Sequence, residues 1–156
     1  MASNRNRSRS AERSASGPQR AESLEECREA SEATIADYAA VAEGFAAGNL
    51  NHDVSQNIDA LLRPLEGRGA PLKILDVGCA SGRDLVTFSK RGHHAIGLDG
   101  VSAFCEMARK LSGCEVWEQD LLNLDLPKER FDGIFCNASL FHVPSSVLPA
   151  TLKQLT

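Results

Sequence analysis

No stretch of this 156-residue sequence approaches the ~18–20 consecutive apolar residues of a membrane-spanning helix, so a transmembrane protein is excluded and no membrane partner is expected. Aromatic residues are scarce, with one tryptophan and one tyrosine, while apolar residues make up 42%. That is the composition of an ordinary soluble chain, and the length sets the expectation of one domain. The cysteines are five, an odd number: Cys27, Cys79, Cys105, Cys114 and Cys136. They form no C-x-x-C pair, and without a secretory signal they are expected as reduced, mostly buried thiols in a cytoplasmic setting. No metal constellation is present; His93 and His94 are adjacent, alternate faces and do not chelate together. Basic charge is also missing from most of the chain. The net charge is −4, yet residues 1–20 hold five arginines and one glutamate, which leaves the remainder near −8. An acidic body of this kind argues against a nucleic-acid partner.

The basic leader, residues 1–23, is rich in Ser, Arg, Asn and Gly and has no apolar periodicity. It cannot bury enough surface to offset its chain entropy and is expected to be disordered. Three roles stay open for it: a solvated tail, a transit peptide directing the chain to a mitochondrion or plastid, and an Arg-Ser interaction tail.

The most informative segment is Leu72-Lys73-Ile74-Leu75-Asp76-Val77-Gly78-Cys79-Ala80-Ser81-Gly82-Arg83-Asp84. An apolar run ends in an acid, passes through small residues and enters a helical pattern. A strand, a tight loop and a helix N-terminus follow, placed where a ligand approaches the backbone. Gly78 and Gly82 admit backbone angles closed to other residues. The unpaired amides opening the helix, at the positive end of its dipole, suit an anionic group. A P-loop is excluded because no Lys-Ser or Lys-Thr follows the turn. The dinucleotide pattern G-x-G-x-x-G, aligned on Gly78, reaches Ala80 at its second position but Arg83 at its third, which disfavours an NAD-type oxidoreductase.

The run Asp76-Val77-Gly78-Cys79-Ala80-Ser81-Gly82 resembles the first glycine-rich motif, D-x-G-x-G-x-G, of the class I S-adenosylmethionine-dependent methyltransferases, with Ala80 in place of the middle glycine. A purely structural strand-to-helix turn is the alternative. Twenty-three residues after Asp76, the second strand, His94-Ala95-Ile96-Gly97-Leu98-Asp99, ends in an acid followed by Gly100. In a nucleotide-binding βαβ unit an acid about 20 residues beyond the glycine loop accepts the ribose hydroxyls. Asp99 serves equally well as the N-cap of a helix over residues 101–112. A third strand over 114–119 runs into Asp120 and Leu121, and a fourth over 131–137 ends at Asn137. The resemblance implies that Asp120 meets the adenine amino group while a neighbouring amide meets the ring. It also implies that the loop from Gly78 through Cys79 and Ala80 to Gly82 holds the methionine part, with the Cys79 amide rather than its sulfur facing the cofactor. Backbone carbonyls near Gly78 and Asn137 are implied to meet the methionine ammonium. His142, five residues past the fourth strand, is the one side chain near the reactive end with a pKa suited to general-base work; a loop-ordering role is the alternative. The match covers residues 72–144, about half the chain.

Helices are expected over residues 23–45, with Ile35, Tyr38, Val41, Ala42 and Phe45 at helical spacing and a break at Gly44, Gly48 and Asn49. A second runs over 53–62, with Asp53 as its N-cap. In this family such an N-terminal helical addition often lies over the cofactor pocket, which makes Tyr38, Asn51, His52 and Gln56 candidates for substrate contact. Packing by Tyr38, and capping of the second helix by Asn51 and His52, are the alternatives. Further helices are expected over 84–91, with Leu85 and Phe88 inward, and over 101–111, with Phe104, Met107, Ala108 and Leu111 on one stripe. The expected fold is α/β, a Rossmann-like doubly wound parallel sheet of order 3-2-1-4 with an N-terminal helical addition. Residues 24–66 form the helices and 67–156 a partial S-adenosylmethionine-binding methyltransferase domain.

A complete class I domain usually has seven strands, and here the pattern stops after the fourth strand and a helix over 144–155. The chain is therefore expected to be a fragment, a truncated product or a short isoform, monomeric or weakly self-associating through an open sheet edge. The function implied is methyl transfer from S-adenosylmethionine to a small-molecule acceptor. A non-catalytic S-adenosylmethionine-binding fragment or regulatory partner is the second reading.

Overall fold

The structure, a computed structural model, describes residues 22–155. All but the last two residues of the basic leader, Glu22 and Ser23, lie outside them. The element order is α1 (Leu24–Asn49), α2 (Ser55–Leu62), a 3-10 turn (Arg63–Arg68), β1 (Lys73–Val77), α3 (Arg83–Lys90), β2 (His94–Asp99), α4 (Ser102–Ser112), β3 (Glu115–Glu118), β4 (Gly133–Phe135), a short 3-10 turn (Leu140–His142) and α5 (Leu148–Leu155). The strands form one sheet in the order β3-β2-β1-β4, and every pairing is parallel. The expected order 3-2-1-4 and the N-terminal helical addition are both present.

The sheet is buried on both faces, as parallel sheets require. Side chains alternate along β1. Ile74 joins Phe88, Leu85, Ile58, Cys105 and Phe135 on the face covered by α2, α3 and α4. Leu75 and Val77 join Ile96, Leu98, Leu124 and Leu155 on the face covered by α5. A third cluster, Ala42, Val101 and Phe104 with Ile35, Tyr38 and Phe45 against them, fixes α1 to α4.

Several local expectations need correction. Helix α1 does not break at Gly44 but continues to Asn49. Each interior glycine costs about 1 kcal/mol relative to alanine. The aromatic contacts that Phe45 makes with Tyr38 and Phe104, on either side of Gly44, outweigh that local cost. The start of α1 is set by a capping box: Ser23 Oγ accepts from Glu26 N at 3.2 Å, and Glu26 Oε2 accepts from Ser23 N at 2.6 Å. Val41 and Leu111, assigned to buried stripes, are 55% and 48% exposed, one position round the helix from the true contact face. The N-cap of α2 is Val54, not Asp53; Asp53 Oδ1 instead accepts from Ser55 N at 2.9 Å, and neither Asn51 nor His52 caps that helix. Strand β4 has three residues rather than seven. Its entry is held by Asp132, whose Oδ2 accepts from Lys73 N and whose amide donates to Lys73 O, both at 2.8 Å. Beyond Phe135 the backbone leaves the ladder and turns at Ala138, φ 55°. Helix α5 begins at Leu148, four residues later than expected, because Val147 and Leu148 both donate to the Pro144 carbonyl in a preceding turn.

Candidate active site

A cavity of about 550 Å³ opens at the carboxyl ends of β1, β2 and β4, where chain direction switches. The loop after β1 is held chiefly by its own chain. The Leu98 carbonyl accepts from Gly78 N at 2.7 Å and Cys79 N at 3.1 Å. Asp99 Oδ2 then accepts from Ala80 N at 2.9 Å, and Gly82 N donates to Cys79 O at 2.9 Å. The expectation that the Cys79 amide faces a ligand is therefore corrected: Leu98 engages it. The Cys79 thiol points into the sheet beside Gly97, and burial raises its pKa far above the ordinary thiol range, which leaves it no nucleophilic role. Gly82 has φ +88°, and a Cβ there would stand 2.8 Å from Ala108 Cα, so this turn demands glycine both for conformation and for space against α4.

Asp99 is 8% exposed. Its Oδ1 accepts from Val101 N at 2.9 Å, so one carboxylate both opens α4 and closes the β1 loop. The helix nonetheless takes Val101 as its N-cap residue. Burial raises the Asp99 pKa, and the amides of Val101, Ala80 and Gly100 oppose that rise. Asp76 is more deeply enclosed. Burial first, then the neighbouring carboxylates Asp84 and Asp99, hold its pKa well above the usual carboxylate range. Asp76 Oδ2 and Ser139 Oγ are buried without a hydrogen-bond partner; Ser139 lines the cavity, where a polar ligand would relieve its hydroxyl.

The opposite wall comes from α1 and α2. Ser31 Oγ donates to Asp120 Oδ1 at 2.8 Å. Tyr38 Oη lies 3.1 Å from His142 Nε2, with the two rings edge to face. Arg83 forms a bidentate pair with Asp84 at 2.7 and 3.0 Å, and its third arm donates to the Asn49 carbonyl at 2.9 Å. That bond satisfies one of the carbonyls left open at the end of α1. Asn57 Nδ2 donates to Asn137 Oδ1 at 2.8 Å. His142 is half-buried, and burial lowers its pKa while the charge of Asp99 partly offsets the effect.

Of the residues singled out in the sequence, Gly78, Cys79, Ala80, Asp99, Gly100, Asp120, Leu121, Asn137 and His142 line this one cavity, as do Tyr38, His52 and Gln56. Asp76, Gly82 and Asn51 do not. Ser31, Arg83 and Ser139 line it and were missed. Ser31 was legible in principle: it shares a helical face with Ile35 and Tyr38, but as a polar residue it fell outside a search for apolar periodicity. Among the described residues no group of three His, Cys, Asp or Glu could hold a metal ion, and no helix is long and apolar enough to cross a membrane.

A parallel sheet of order 3-2-1-4, with a glycine loop on its first strand and an acid ending its second, defines a Rossmann-like nucleotide-binding fold. A family model of the methyltransferase domain matches residues 74–156, and the chain belongs to that family. Solved structures share the fold. Phosphoethanolamine N-methyltransferase 1 of Haemonchus contortus, in complex with phosphoethanolamine and S-adenosylhomocysteine, has a TM-score of 0.64 at 13% identity over 86% of this chain. Magnesium protoporphyrin IX methyltransferase of Synechocystis PCC 6803, with bound S-adenosylmethionine, has a TM-score of 0.59 at 19% identity over 80% of this chain. An S-adenosylmethionine-bound amino pentose methyltransferase from Micromonospora echinaspora has a TM-score of 0.59 at 26% identity over 70% of this chain. The chain spans 30%, 70% and 48% of those three proteins respectively. No curated protein matches it in sequence.

Proposed function

We propose that this chain binds S-adenosylmethionine in the cavity at the strand ends and serves methyl transfer to a small-molecule acceptor. The observation that carries the reading is the buried Asp99 carboxylate, locked by the Ala80 and Val101 amides and lining the same cavity as Asp120 and His142. Each Asp99 oxygen has one amide donor in the structure, so each retains acceptor capacity for one of two cis ribose hydroxyls. Asp120 Oδ1 is occupied by Ser31 and Leu122, which leaves Oδ2 for an adenine amino group. The unpartnered Ser139 hydroxyl, which lines the cavity, fits a polar ligand.

S-adenosylmethionine, when bound, supplies an electrophilic methyl group for in-line displacement by an acceptor atom. The chain's own residues contribute alignment and removal of water. His142, its proton affinity lowered by burial, is the base that takes a proton from the acceptor. Tyr38, one hydrogen bond away, fixes the plane of its ring. In support of a small-molecule acceptor stand the size of the cavity, about 550 Å³, and the acidic balance of the chain beyond its first 20 residues.

The test is calorimetric titration of the chain with S-adenosylhomocysteine, beside Asp99→Ala. Saturable binding that falls about 100-fold or more in the variant is expected, since a charge-assisted contact to each of two hydroxyls is lost. A folded chain that binds no S-adenosylhomocysteine would sink the reading. Binding without turnover across a panel of small amines, alcohols and thiols would select the non-catalytic binder instead.

A further inference from the structure

We propose that Ser31 is a positioning residue for nucleobase recognition, so that the base is read jointly by the sheet and by the helix that covers it. The inference rests on the assignment of Asp120 to the adenine amino group made above.

Asp120 follows β3 on a turn in which its own chain supplies one donor: Leu122 N reaches Oδ1 at 2.9 Å. A single bond to one oxygen leaves a carboxylate free to swing about it. The second donor to that same oxygen comes from 89 residues away, the Ser31 hydroxyl on α1 at 2.8 Å. Two donors converging on Oδ1 from different elements fix both rotations of the side chain and present Oδ2. Ser31, Ile35 and Tyr38 occupy successive turns of one face of α1, and all three line the cavity. The face packs closely on the end of β2: a Cβ on Gly100 would lie 3.0 Å from Ile35 Cδ1. The arrangement therefore links how well the cofactor's base is recognised to whether the cover helix is seated.

The measurement is the affinity of the full chain for two ligands, S-adenosylhomocysteine and its 6-deamino analogue, which differ only in the amino group. They are titrated against wild type, Ser31→Ala, Ser31→Thr and Asp120→Ala, with helicity checked by circular dichroism. Alanine favours a helix interior, so the fold of Ser31→Ala is expected to hold. Wild type is expected to prefer the amino ligand, and Asp120→Ala to lose that preference. Ser31→Ala is expected to cut the preference by about three- to tenfold, the range of a hydrogen bond to a charged group felt at one remove. Ser31→Thr, which keeps the hydroxyl, is expected to restore it. A Ser31→Ala variant that discriminates as wild type does, or that weakens both ligands equally, would overturn the proposal, as would a threonine variant that behaves like alanine. Undiminished discrimination by Asp120→Ala is a separate outcome: it would remove the adenine assignment itself, and the role of Ser31 with it.

Discussion

The two walls of the cavity are built on different principles. The floor, formed by the β1 loop and the ends of β1 and β2, is closed mainly by backbone amides, four of them from Gly78 to Gly82 directed at Leu98, Asp99 and Cys79. The cover, formed by α1 and α2, meets the segments after β3 and β4 and the start of α3 through isolated side-chain bonds: Ser31 to Asp120, Tyr38 to His142, Asn57 to Asn137 and Arg83 to Asn49. A backbone-closed wall tolerates few side-chain changes at its turns but many elsewhere. Apolar packing carries the rest of the cover: Ala42 of α1 joins Val101 and Phe104, and Ile58 of α2 is fully buried in the cluster of Ile74 and Phe88, so the polar ties decide which groups of the two walls meet. The floor is thus set by its backbone and the cover by its side chains.

The sharpest break in that contrast comes at the floor. Gly82→Val forces a side chain into left-handed backbone and into Ala108 of α4, and should destabilise the chain by roughly 4 kcal/mol or more, read from urea unfolding. An ordinary midpoint would show that the loop repacks. Next comes the tie between α3 and the end of α1. Arg83→Ala leaves Asp84, 8% exposed, without its bidentate partner and frees the Asn49 carbonyl, at about 2–3 kcal/mol. Hydrogen exchange should speed at the end of α1 while β1 and β2 stay protected; uniform acceleration would abolish the distinction between the walls.

A smaller effect follows from Asp76. Its folded pKa is raised, so the native state binds the proton more tightly than the unfolded chain does. That contribution to stability is fully present below the unfolded value of ~3.9 and is lost as pH rises through the folded pKa. Asp76→Asn should flatten the fall in stability across this window, and an unchanged urea-midpoint profile would assign the pH dependence elsewhere. The smallest effect is expected from Tyr38→Phe, about 0.5–1.5 kcal/mol in stability. Its informative readout is the acid limb of the rate profile, which should lie below the ordinary histidine value because burial lowers the His142 pKa. Loss of the hydroxyl should move that limb; a limb that stays put would separate Tyr38 from the base.

The floor was almost wholly legible in the sequence, and the reason is local. An apolar run, a cluster of small residues and an acid at fixed spacing each reflect a backbone requirement, so β1, α3 and β2 fall within a residue or two of where the pattern places them. The cover was not. Whether α1 stops at Gly44 depends on Phe45 meeting Phe104, 59 residues away, and no helical window contains that contact. Ser31 and Asn57 acquire meaning only through Asp120 and Asn137. The Cys79 amide was misassigned for a related reason. Spacing pointed to a loop open to a ligand, but could not reveal that Leu98 already accepts two of its amides.

That pair of bonds bears on how the chain can vary. Leu98 receives Gly78 and Cys79, and the next residue, Asp99, receives Ala80, so three consecutive donors are matched against two consecutive positions of the neighbouring strand. The loop is gauged by the acid it must accompany. One residue added between Gly78 and Ala80 would put every later amide out of step, and one removed would leave Asp99 without its upper partner. Length changes are expected to be tolerated in places such as the exposed 127–129 stretch, which takes no part in this matching. An insertion scan across the chain would register as a map of this matching, with a two-strand interval at 78–82 and 98–99 in which nothing is accepted.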